Sequence, residues 1–238
     1  MDFPETLREA RLIRRYKRFL ADVRGEDGEL FTAHCPNTGS MLGCTEPGSR
    51  VWLSRSDNPK RKYAHTWELV ELADGTRVGL HTGRSNALVE EAWREGLLPE
   101  LAGYRELRRE VSVPGMPMRA DMRLRGNGLS DCWLEVKNVT AAVEAGVAIF
   151  PDAVSERGTR HLGVLSRLVG RGERAVLVFC VQRDDVGEVR PADAIDPAYG
   201  RALRGAIAAG VEVYALGAQV GPRAISLNRR LPVVCPPL

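Results

Sequence analysis

Three side chains in the stretch Met118–Thr140, MRADMRLRGNGLSDCWLEVKNVT, have types and spacing suited to phosphodiester chemistry: Asp121, Glu135 and Lys137. Ala120, Met122 and Leu124 alternate with Arg119, Asp121 and Arg123, and Cys132, Leu134 and Val136 alternate with Trp133, Glu135 and Lys137. Period-two alternation puts Glu135 and Lys137 on one face of a strand. Gly126-Asn127-Gly128 is a turn signal, and a hairpin centred near Gly128 sets Asp121 opposite Glu135. Opposed residues have Cβ atoms ~4.5–5.5 Å apart, so the two carboxylates need a cation or a proton between them. Mg²⁺ or Mn²⁺ suits such a pair, because it takes one or two carboxylates together with phosphate oxygens and water. Lys137 could orient the attacking water or steady the charge that develops on the phosphate. A solvated hairpin face with an ordinary Glu–Lys pair would show the same pattern, since Glu-x-Lys is common by itself.

Other residues are candidates for the same site. Glu110, in RELRRE, could be a third acidic metal ligand or a surface charge. Ser155, Arg157 and His161 could face the substrate, and Arg157 and His161, four apart, share a helix face. His34, Cys35 and Cys44 lack a second ligand pair at zinc-like spacing, which favours structural burial over a metal site.

The elements that must hold these residues fall into two domains, 1–82 and 83–238. In the first, short strands are expected at Ala10–Tyr16, Arg18–Arg24, Leu30–Cys35, Arg50–Arg55, Thr66–Leu72 and Thr76–His81, with glycine turns at Gly25–Gly28 and Asp74-Gly75. That texture fits a small closed barrel of OB type. In the second, a helix is expected from Ser85, as N-cap, to Trp93. Extended segments follow at Glu106–Val113, Met118–Arg125 and Cys132–Thr140. A helix over Ser155–Val169 with Gly170 as its C-cap precedes AVLVFCV (Ala175–Val181), an apolar run with the length of a buried central strand. A helix over Pro197–Ala209 and a strand over Val211–Leu216 complete a mixed α/β layout, and PVVCPPL reads as an extended tail.

The 238 residues are 44% hydrophobic and 27% charged with a net charge of +3, ordinary values for a globular protein, mildly basic but not demanding an anionic partner. Five cysteines without a CxxC pair suggest a reducing compartment. The N-terminus has no apolar signal region and no run approaches a membrane span, so a cytoplasmic protein with no membrane partner is expected, nucleoid-associated if it binds DNA.

Positive charge is concentrated in two segments of the first domain. One holds Arg14, Arg15, Lys17 and Arg18 with Tyr16 and Phe19; the other holds Lys60, Arg61, Lys62 and Tyr63. Basic residues contact phosphates, and exposed aromatics give bases a surface to stack on. Over the first 82 residues the basic side chains barely outnumber the acidic ones, so the charge must be segregated on one face to matter. HCPNTGSMLGC (His34–Cys44) is expected to form a shaped loop beside the barrel mouth, in contact with the second domain.

The segments HCPNTGSMLGC, SDNPKRKYAHTWELV, DCWLEVKNVT and FPDAVSERGTRHL, with RRYKRFLADV near the start, resemble the sugar fermentation stimulation protein A (SfsA) family over nearly the whole chain. The resemblance implies an OB-fold domain followed by a domain similar to the PD-(D/E)XK nucleases, in which Asp121, Glu135 and Lys137 match the acidic–ExK core. Ala120 stands where that pattern has proline. The resemblance also implies non-sequence-specific DNA binding and an association with sugar (maltose) use.

Three functions compete on this reading. A DNA-binding protein, or one binding RNA, would show affinity that falls with salt. A Mg²⁺- or Mn²⁺-dependent nuclease would lose its products on Glu135→Ala or Lys137→Ala. A sequence-specific regulator of carbohydrate genes is least favoured, because no helix-turn-helix pattern is present.

Overall fold

The computed structural model describes residues 1–144 and 146–237. The chain opens with β1 (Arg8–Tyr16), β2 (Leu20–Gly25), β3 (Leu30–His34), β4 (Arg50–Arg55), β5 (His65–Glu71) and β6 (Arg77–Gly79). β1 pairs antiparallel with β2 and β4, β2 with β3, and β4 with β5. A parallel step, His34 to Thr66, joins β3 to β5 and closes a five-stranded OB barrel. Leu12, Val23, Ala33, Leu53, Trp67 and Val70 fill its interior. β4 and β5 are apolar on their second face too, where Trp52 and Leu69 pack into a core shared with the rest of the chain.

The second half runs α1 (Ser85–Arg94), β7 (Glu106–Ser112), β8 (Arg119–Arg125), β9 (Cys132–Val139), β10 (Ala142–Glu144) and β11 (Gly146–Phe150). There follow α2 (Glu156–Gly170), β12 (Arg174–Val181), β13 (Val186–Pro191), α3 (Pro197–Ala208), β14 (Glu212–Val220) and β15 (Ile225–Leu231). Six strands make a mixed sheet in the order β15-β14-β12-β9-β8-β7. β12, the AVLVFCV run, lies parallel between β9 and β14 and is buried on both faces, as its unbroken apolar character requires. α1 covers one face through Leu88 and Val89; α2 and α3 cover the other through Leu162, Leu165, Tyr199 and Leu203.

The helix starts are tied together. Ser155 caps α2 by accepting from the Gly158 N–H at 3.1 Å, and Asp196 caps α3 by accepting from the Tyr199 N–H at 2.9 Å. The other Asp196 oxygen accepts from the Ser155 N–H at 2.7 Å, so one carboxylate fixes both helix entries. The start of the chain also belongs to the second half: the Phe3 N–H donates to the Arg223 carbonyl at 2.9 Å, and Asp2 bridges Ala224.

Several expectations need correction. Ser85 is no N-cap; a short turn over Thr82–Arg84 precedes α1, and the Ser85 hydroxyl donates to Asn138 Oδ1 at 3.0 Å. Gly170 lies inside α2, and the left-handed glycine after it is Gly172, with φ of 80°. β2 starts at Leu20 rather than Arg18, because Lys17 and Arg18 are left-handed (φ 49° and 64°) and form the turn. β10, β11, β13 and β15 were not anticipated. The proline-rich end is pinned to β13, through Val189 N–H to Pro232 O at 3.0 Å and Val234 N–H to Val189 O at 2.9 Å.

Candidate functional site

The β7–β8 hairpin carries the first acid, and it is creased. Its root, with Met122 and Leu124, packs into the core on the α1 side, whereas Val113, Met118 and Ala120 nearer its tip pack with Leu162 and Leu165 of α2. Arg109–Met122 and Val111–Ala120 are paired, but Glu110 between them has a φ of 55°. A left-handed non-glycine residue costs roughly 1–2 kcal/mol, and this one lets the hairpin fold over α2 at the level of Asp121.

Asp121 lies one step beyond the last β8–β9 pair, Met122–Leu134, and that step places it across from Glu135. Its side chain takes over where the ladder stops: Oδ2 accepts from the Val136 N–H at 2.7 Å. Oδ1 accepts from Asn86 Nδ2, in the first turn of α1, at 3.1 Å. On β9, Glu135 Oε1 accepts from Lys137 Nζ at 2.5 Å and faces His161 Nδ1 of α2 at 2.6 Å. Arg157 Nε donates to His161 Nε2 at 3.3 Å. A guanidinium cannot accept, so Nε2 is the bare nitrogen and the neutral ring gives its Nδ1 proton to Glu135. Glu135 Oε2 is buried and, among the described residues, has no hydrogen-bond partner.

The two acids respond differently to this setting. Burial, reinforced by the Glu135 charge, pushes Asp121 up to about 6, against the lowering pull of the Val136 and Asn86 donors. Burial also acts to raise Glu135, but the His161 hydrogen bond and the Lys137 charge outweigh it and hold the carboxyl below its ordinary range. Two carboxylates pushed apart in this way, one with a spare buried oxygen, fit a cation between them. Among the described residues no group of three or more His, Cys, Asp or Glu side chains is arranged to hold a metal. A cation here would take two protein carboxylates and complete its shell from outside the protein, which is the habit of Mg²⁺.

Glu110 is not placed as a ready third ligand. It is exposed, its carboxylate pairs with Arg119 at 3.2 Å, and it receives the same Asn86 amide at 3.4 Å. His161, a candidate to face the substrate and contact nucleic acid, is buried against Glu135 instead, because helical spacing turns it inward beside Leu162 and Leu165. Arg157 meets His161, as their four-residue spacing requires, and remains exposed. Asn86 was missed, since an asparagine in a first helical turn has no pattern that marks it.

The barrel cations sort into three kinds. Arg14 pairs with Asp22 at 2.8 Å and lies over the Tyr16 ring. Arg15 is structural: it donates to the carbonyls of Arg18, Asn37, Gly39 and Ser40 at 2.7–3.2 Å. Lys17 and Arg18 are exposed at the turn. Lys60, Arg61 and Lys62 are exposed between β4 and β5, where Arg61 donates to Thr66 Oγ1 at 2.9 Å and Lys62 lies over the half-buried Tyr63 ring. The His34–Cys44 loop reaches the second half, with Ser40 Oγ donating to the Asp152 carbonyl at 2.6 Å and the Met41 N–H to Asp152 Oδ2 at 2.8 Å.

Known proteins match this architecture throughout. Residues 83–224 match the family described as "Sugar fermentation stimulation protein RE domain", and residues 13–80 match "SfsA N-terminal OB domain". A sugar fermentation stimulation protein homolog of Alkalilimnicola ehrlichii is 65% identical over 99% of this chain and 100% of its own length. One from Halorhodospira halophila is 62% identical over 98% of each. Among solved structures, Pyrococcus furiosus SfsA in complex with Ca²⁺ superposes with a TM-score of 0.88 at 28% identity, covering 98% of both chains.

Proposed function

From the premise that this chain belongs to the sugar fermentation stimulation protein (SfsA) family, we propose that it binds DNA and hydrolyses phosphodiester bonds with a divalent cation. One observation carries the proposal: Asp121 and Glu135 face each other across neighbouring strands, and a buried Glu135 oxygen has no protein partner. Asp121 and Glu135 would hold Mg²⁺ or Mn²⁺, and the Ca²⁺ bound by the Pyrococcus relative is a hard cation of the same preference for oxygen. Such a cation supplies Lewis acidity toward phosphate oxygens and water.

The remaining work falls to side chains. His161 and Lys137 set the orientation of Glu135. Asn86 and the Val136 N–H set that of Asp121. The Lys137 ammonium, held on Glu135, would offset negative charge developing on a phosphate bound at the two acids. Exposed Arg157, Lys60 and Lys62 add phosphate contacts without reading sequence.

Titration calorimetry with Mn²⁺, together with incubation of single- and double-stranded DNA and RNA with metal, tests this reading. Wild type should bind Mn²⁺ and produce fragments, and Glu135→Ala should do neither. Equal products from both proteins would assign the activity to a contaminant.

A second reading, DNA binding without turnover, is favoured by the lock of Lys137 onto Glu135 and by the 3% exposure of Glu135. On that reading metal binds, DNA affinity falls with salt, and no fragments form. The link to sugar use carried by the family's name would then act through DNA affinity. α3 leads directly into β14 rather than into a second helix, so it is not the recognition helix of a helix-turn-helix.

A further inference from the structure

We infer that the β1–β2 turn, Lys17-Arg18-Phe19, is a rigid platform on which a base of single-stranded nucleic acid stacks. The inference rests on the nucleic-acid reading above and names the part of the strand that the barrel holds.

The turn is constructed at a cost. Lys17 and Arg18 are consecutive left-handed residues without being glycines, a conformation that disfavours L side chains. Arg15 holds them there, with two of its nitrogens donating to the Arg18 carbonyl at 3.1 and 2.7 Å. The Cys35 N–H donates to the Phe19 carbonyl at 2.8 Å and fixes the far side. The result presents a phenylalanine ring that is 47% exposed, at the end of a hairpin rather than over the core.

The charges at this turn differ from those of the strand-face arginines beside it. Arg8, Arg14, Arg50 and Arg77 each pair with a carboxylate. Among the described residues, Lys17 and Arg18 make no ion pair, as is also true of Lys60, Arg61 and Lys62, but only at this turn do such cations adjoin an exposed aromatic ring. Two free cations beside one exposed flat ring complement phosphates flanking a base, and every base offers a π-face. A paired duplex keeps its bases stacked on one another, so an unpaired strand is the form that fits.

The platform is also coupled to the catalytic half. Arg15 reaches the Asn37, Gly39 and Ser40 carbonyls, Ser40 and Met41 are bonded to Asp152, and the segment after Asp152 enters α2, whose His161 contacts Glu135. A continuous set of bonds therefore holds the turn in place relative to the acids. Leu42 and Val154, exposed on the same tied segments, add apolar surface that an anionic membrane would also engage, so a vesicle belongs in the test.

The experiment uses the full chain, a short single strand carrying 2-aminopurine, the same sequence as duplex, and phosphatidylserine vesicles. Wild type should quench the single-strand fluorescence. Phe19→Ala should weaken single-strand affinity about ten-fold or more and abolish the quench, with duplex affinity unchanged. Phe19→Trp should restore both, and Phe19→Leu, which keeps bulk but no ring, should not. Lys17→Ala with Arg18→Ala should lower the slope of log affinity against log salt by roughly 1–1.5. Thermal melts should match wild type, because Phe19 supports no core. Unchanged affinity and quench in Phe19→Ala overturns the platform and leaves the DNA-binding proposal standing. Loss of vesicle binding alone assigns the turn to a lipid surface instead. A wild type that binds no nucleic acid overturns both.

Discussion

Two glutamates of this molecule are almost equally buried and are bonded in opposite ways. Glu68, in the barrel, is 1% exposed; its Oε1 accepts from Ser54 Oγ at 2.6 Å and Arg84 Nη2 at 2.7 Å, and its Oε2 from Arg84 Nε at 2.7 Å. Glu135, in the sheet of the second half, is 3% exposed, has both donors on one oxygen and leaves the other bare, with a second acid opposite. A buried charge with both oxygens engaged is a fastening. One with an acceptor in reserve is a socket, and the distinction lies in the hydrogen bonds rather than in the depth.

The largest effect that could break this contrast is in the barrel. Glu68→Ala leaves the Arg84 guanidinium partly buried without its carboxylate and should cost about 3–5 kcal/mol of stability, read by urea denaturation. The protein that remains folded should keep its metal affinity. Next in size, Glu135→Gln should reduce metal-dependent cleavage at least about a hundred-fold. Because Lys137 and His161 stabilise the Glu135 charge, it should also lower the urea midpoint, but by less than Glu68→Ala, since the amide oxygen still accepts from both. Were Glu68→Gln to abolish cleavage in folded protein, or Glu135→Gln to unfold it, the assignment of fastening and socket would be reversed.

A smaller effect concerns pH. Folding raises the Asp121 carboxyl from 3.8 to about 6, so the native state binds the additional proton. That contribution to stability is complete below the unfolded value and disappears as pH climbs through 6. In metal-free protein, Asp121→Asn should therefore stabilise above pH 6 by about 1–3 kcal/mol and change little near pH 4, measured by melting across that range. A destabilised Asn variant at pH 8 would show that the opposed acids do not repel. Smallest is the cap: Ser155→Ala should cost ~1 kcal/mol and shorten the first turn of α2, seen as faster amide exchange at Gly158.

Much of the fold was readable because its signals are local. Glycine turns and alternation locate the barrel strands to within a residue or two, and the AVLVFCV run identifies β12 by its unbroken apolar character. The Gly126–Gly128 turn sets the β8–β9 register, and with it the opposition of Asp121 and Glu135. What escaped was non-local. The parallel pairing of β11 with β13 joins segments far apart in the chain. The crease at Glu110 depends on which core each half of a hairpin enters. Asn86 and His161 arrive at the acids from two helices on opposite faces of the sheet, and no spacing in the chain connects them. Arg15 looked like its neighbours until four carbonyls were found around it.

The docking of residues 1–3 onto the segment before β15 governs the order in which the protein can be completed. The contact between Met1 and Ile225 spans 224 positions, so residues 1–3 are made long before the partners that hold them. The barrel strands pair among themselves, but the strap across the two halves forms only once residues 223–225 have been made. A chain interrupted before residue 223 would lack both β15 and the bonds that tie residues 1–3 to the second half.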